Sequence, residues 1–97
     1  MVPFMISRTM VERVEWFSPI HYEILTFFQE HDIQISPRDL AVNIDYDRGY
    51  TGKECRTLAQ AGLLQNQNGV YQLTDFGRAF LSGKVDSGEV QRPEESD

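Results

Sequence analysis

Apolar residues recur along this chain at helical spacing in four stretches, interrupted once by a pair of short strand-like runs. The first stretch carries Ile20, Ile24, Phe27 and Phe28 at i, i+4, i+7 and i+8, widened by Leu25, with Glu23, Gln29 and Glu30 off the stripe. Ser18 is a suitable N-cap and Pro19 suits the first helical position, where its missing N–H costs nothing. Phe17 and Tyr22 occupy the two hydrophobic-staple positions around that cap. The helix is expected to end near His31-Asp32. Ile33-Gln34-Ile35 then alternates and predicts a small strand. Ser36-Pro37-Arg38-Asp39 opens a second, brief helix with Leu40, Ala41 and Ile44 on its buried side, ending near Asn43-Ile44.

Asp45-Tyr46-Asp47-Arg48-Gly49 reads as a turn. A third helix is predicted from about Tyr50 to Ala61, with Thr51-x-x-Glu54 as its capping box and Gly62 as its stop. Cys55, Leu58 and Ala61 share its inner face, while Lys53, Arg56 and Thr57 lie toward the other. Leu63–Gln67 and Val70–Leu73 are two strands around Asn68-Gly69, a strong hairpin signal. Thr74 caps a fourth helix carrying Phe76, Ala79, Phe80 and Leu81, in which Gly77 suggests close backbone packing and Ser82-Gly83 the end. Three helices, a hairpin and a last helix make an α+β, mainly α fold in the order of a winged helix-turn-helix.

The organisation expected around this core has three parts. Residues 1–15 form an N-terminal extension without clear period, in which Met10 is an alternative start. Phe4, Met5, Trp16 and Phe17 make an apolar group suited either to packing over the end of the small core or, as favoured here, to a dimer arm. Residues 16–83 are the winged-helix domain. Residues 84–97, rich in Pro, Ser, Gly and acid, are expected to be a disordered acidic tail.

Composition changes this picture at one point. The net charge is −6, which argues against a nucleic-acid binder, because phosphate contacts need Lys and Arg. The charge is unevenly spread. From Val85 to Asp97 one arginine stands against five carboxylates, whereas from Arg48 to Leu81 four cations stand against two. Such an acidic DNA-binding protein is typical of salt-in halophiles. The single cysteine excludes an internal disulfide and a cysteine-based zinc site, and it fits a reduced, cytoplasmic setting. His21 and His31 have no third ligand at sensible spacing and read as surface or capping residues. No cofactor, metal or small-molecule ligand is evident, no apolar run is long enough to span a bilayer, and no catalytic constellation is present.

Trp16-Phe17-Ser18-Pro19, Ala61-Gly62-Leu63-Leu64 and the run from Gly69 to Leu81 together resemble haloarchaeal phage-repressor-type winged-helix proteins, small archaeal regulators related in architecture to the MarR-like fold. The resemblance covers roughly residues 16–83. It implies a sequence-specific regulator of transcription, a repressor, that binds double-stranded DNA as a homodimer with its third helix in the major groove. Tyr50, Thr51, Lys53, Arg56 and Thr57 hold the base-reading positions, since Lys and Arg suit guanine O6 and N7 and Thr suits the thymine methyl. Arg48 and Arg38 are placed to hold phosphates. The wing tip, with Gln67 and Asn68, has no Lys or Arg and offers amide hydrogen bonds only. That uncharged wing and the acidic total leave a second possibility, a winged-helix module that binds protein rather than DNA.

Overall fold

Ser36, Asp47 and Thr74 each start a helix by accepting a backbone N–H with the side chain, from Asp39, Tyr50 and Gly77 respectively. The computed structural model describes residues 14–93, within which the elements are α1 (Pro19–Glu30), α2 (Pro37–Ile44), α3 (Arg48–Gln60), β1 (Leu64–Gln67), β2 (Val70–Leu73) and α4 (Asp75–Leu81), followed by a short 3-10 turn (Ser87–Glu89). The staple before α1 forms as expected, with the Phe17 and Tyr22 rings edge to face at 5.0 Å.

β1 and β2 pair antiparallel, from Leu64 opposite Leu73 to Gln67 opposite Val70. Asn68 and Gly69 both take positive φ, 56° and 90°, which the two-residue hairpin turn requires. The Ile33–Ile35 segment contributes one bridge, Ile35 to Tyr71, with both backbone hydrogen bonds made. β2 therefore lies between Ile35 and β1. On one face an amide ladder crosses all three, Gln34 to Gln72 at 2.6 Å and Gln72 to Gln65 at 3.5 Å.

The core sits where α1 crosses the other helices and the hairpin. Ile20, Ile24, Leu25 and Phe28 from α1 meet Leu40, Cys55, Leu58, Leu63, Tyr71 and Phe80. Gly62, at φ 88°, ends α3 in a Schellman arrangement, with Leu63 N–H on Leu58 O and Gly62 N–H on Ala59 O. This turns the chain directly into β1. Gly77 lies against the Leu63 carbonyl so closely that a Cβ there would clash with it and with Leu73 Cδ1.

Two expectations need correction. First, α3 begins at Arg48, two residues earlier than its Thr-x-x-Glu signal suggested, because Asp47 is the cap. Arg48 thus belongs to the first helical turn rather than to the loop. Second, residues 84–93 are not a disordered tail. Val85 packs on the core and Val90 is buried at 2% exposure, with its carbonyl accepting from Trp16 Nε1 at 3.0 Å. Trp16 and Phe17, the described part of the N-terminal apolar group, pack partly buried against their own domain's core. The reading of Phe4 and Met5 as part of a dimer arm, and of Met10 as a start, lies outside the described residues.

Candidate nucleic-acid interface

α2 and α3 are joined by three residues, Asp45 to Asp47. Asp45 takes the left-handed conformation at φ 62°, and Tyr46 N–H returns to Ala41 O at 3.1 Å. A helix-turn-helix is built this way, with the second helix displayed across the first. The inner face of α3 is Thr51, Glu54, Cys55 and Leu58. Helical period then leaves Gly49, Lys53, Arg56 and Gln60 as one outward stripe, and all four are exposed. The two glycines, Gly49 and Gly52, leave the first turns of that face low in profile.

Among the described residues, Arg38, Arg48, Lys53 and Arg56 make no ion pair or side-chain hydrogen bond, whereas Arg78 is held by Asp32 at 2.9 Å. Arg38 is exposed in the first turn of α2 and Arg48 is exposed at the first position of α3. Tyr50, 40% exposed, sits beside Tyr46 with ring centroids 6.2 Å apart. Thr57 is half-buried, with its hydroxyl donating to Lys53 O at 3.2 Å. At the wing tip Gln67 and Asn68 are exposed, and Asn66 Oδ1 accepts from Gly69 N–H to brace the turn.

Two polar residues do something other than what their positions suggested. Thr51 is fully buried and its hydroxyl donates to Asp47 O at 2.8 Å, so it locks the start of α3 and cannot reach a base. Glu54 is no cap. Its Oε1 lies 2.6 Å from His21 Nε2 in the seam between α1 and α3. His21, expected at the surface or as a cap, is buried; its other nitrogen, Nδ1, accepts the Ser18 N–H at 2.8 Å and so serves as a cap. Because Nδ1 accepts, the ring proton is on Nε2 and is donated to Glu54. His31 does stay at the surface, stacked on Phe27. Cys55 is fully buried, and that burial pushes its thiol up to about 12 against a partial opposing effect of Arg56. A thiol held this way is a core residue rather than a redox centre.

The stretch from residue 10 to residue 93 matches the family model of the winged helix-turn-helix phage repressor. The chain belongs to that family. No curated protein and no solved structure gives a significant match. Membership in the phage-repressor family gives a general role in DNA binding and transcription regulation, and the family is one of regulators rather than enzymes. No helix among the described residues is long and apolar enough to cross a membrane.

One cation near this surface escaped the sequence reading. Arg92 follows the anchored Val90 and lines the same recess as Lys53 and Thr57. The available signal was Val85 and Val90 flanking Asp86-x-x-Glu89, a capping box whose return bond forms from Asp86 N–H to Glu89 Oε2 at 3.3 Å.

Proposed function

We propose that this phage-repressor-family chain is a sequence-specific repressor that binds double-stranded DNA as a homodimer, with α3 in the major groove. The observation that carries this reading is the exposed stripe of α3, on which Lys53 and Arg56 stand one turn apart without carboxylate partners among the described residues. Lys53 and Arg56 read guanine edges, and Thr57 and Tyr50 flank them. Arg48 and Arg38, both at helix starts, hold phosphates on either side. Gln67 and Asn68 on the wing add amide hydrogen bonds without charge.

The haloarchaeal setting suggested by the sequence resemblance gives the acidic remainder a purpose. A carboxylate-rich surface keeps a protein soluble in concentrated salt. In such salt, contacts that depend on counterion release weaken steeply, so base contacts from α3 carry more of the affinity.

Selection of bound duplexes from a random library, followed by footprinting of the enriched sequence, tests this function. The expected result is a discrete site with two-fold symmetry and half-sites about one helical turn apart. Recovery of no enriched sequence contradicts it and favours the protein-binding module.

A further inference from the structure

Beyond α4 the chain stays on the domain over residues 82–92. Gly83, at φ 84°, turns it back; Val85 packs on the core; and the 3-10 turn follows, with Glu89 N–H on Asp86 O at 2.9 Å and Val90 N–H on Ser87 O at 3.1 Å. The buried Val90 and its hydrogen bond from Trp16 tie this strap to the chain before α1. Arg92 is therefore delivered to the edge of α3 by two anchors rather than by chance.

There it lines a recess of about 270 Å³ with Lys53 and Thr57, with Trp16 beside them and the His21–Glu54 pair as the buried base. Arg92 and Lys53 are exposed, and among the described residues neither makes an ion pair. The one carboxylate lining the recess, Glu54, accepts the Nε2–H of His21 and stands against these two cations. Two cations against one carboxylate leave the recess with a net positive charge that one further anion would balance. The planar guanidinium matches phosphate oxygens bidentately, and the lysine acts as a point charge beside it.

We propose that Arg92 and Lys53 form a phosphate clamp on the flank of α3, so that the strap from Val85 to Arg92 is part of the DNA interface. This deepens the proposed function and rests on it. Lys53, on the outward stripe, lies between base and backbone, while Arg92 contacts backbone alone. Arg92 therefore adds affinity without sequence preference.

Trp16 is the single tryptophan and lines the recess, so its emission reports occupancy. The test compares the full chain with R92Q, after thermal melts establish that both are equally folded. With both the selected duplex and an unrelated one, R92Q is expected to bind about three- to tenfold more weakly, with the salt slope reduced by about 1 and the preference between duplexes unchanged. The Trp16 response to duplex is expected to shrink in the variant. Equal affinities and equal slopes for the two proteins overturn the clamp. If the wild type binds neither duplex, the proposed function fails, and titration with inorganic phosphate judges the clamp separately. A Trp16 response that R92Q abolishes retains it as an anion site, and no response overturns it.

Discussion

His21 and Glu54 meet at 2.6 Å in the seam between α1 and α3, and this contact ties α3 to the body of the domain. The pair is doubly determined, because Ser18 N–H on Nδ1 directs the remaining ring proton at the carboxylate. No buried side-chain polar atom among the described residues lacks a partner, those of this network included.

Removing one member is expected to cost more than altering the other. His21→Ala strands a largely buried carboxylate and should lose about 3 kcal/mol of stability. Glu54→Gln keeps an acceptor for Nε2–H and should lose less than about 1.5 kcal/mol. Urea unfolding of both variants checks this; equal losses would mean that the carboxylate is not held by the histidine.

Cys55 sets an alkaline limit. Its folded thiol titrates near about 12, well above its ordinary 9.0. Above pH 9 the unfolded chain releases this proton while the folded protein retains it, so the unfolded state binds fewer protons and stability falls with pH. The Cys55 contribution is expected to be flat below about pH 8, then to decline between about pH 9 and 12. Comparing the pH dependence of unfolding in wild type and Cys55→Ser isolates it. In the native protein at pH 8 the thiol should resist alkylation and react only after denaturant is added.

The helical glycines should respond in opposite directions. Gly77→Ala drives a methyl into the Leu63 carbonyl and should cost about 2–3 kcal/mol. At Gly52 the added carbon would meet Pro37 Cβ at 3.7 Å, an ordinary contact, so Gly52→Ala should gain about 0.5–1 kcal/mol from helix propensity. Thermal melts of the two variants decide this, and a stabilised Gly77→Ala would refute the packing described for α4.

Local signals made most of the fold legible. Caps, helical stripes and Asn68-Gly69 each depend on neighbours in the chain, and their elements lie within a residue or two of expectation. What escaped depends on distant partners. Nothing near Glu54 announces that His21, 33 residues away, will meet it, so it read as a cap. Thr51 looked like a surface hydroxyl because it was read as the cap of its helix; with Asp47 as the cap it lies within the helix, four and seven residues before Cys55 and Leu58, and turns inward with them. Val90 looked too isolated to fold, since its anchor, Trp16, is 74 residues upstream. The outward positions of Lys53 and Arg56 followed from the apolar stripe opposite them.

The wing offers a gain-of-charge test. Gln67 is exposed at a tip without cations. If that tip lies along the DNA backbone, Gln67→Lys should tighten binding to every duplex and steepen the salt slope by about 1. An unchanged slope in electrophoretic or fluorescence titrations would place the wing away from the DNA.

The central claim is that α3 reads DNA through Lys53 and Arg56. Its most direct test is the affinity of the Lys53→Ala, Arg56→Ala double variant for the footprinted site and for an unrelated duplex, at one salt concentration. Both side chains are exposed and unpaired among the described residues, so the melting temperature should hold. The account predicts that the preference for the footprinted site disappears while the protein stays folded. A folded double variant that keeps its full preference would contradict it.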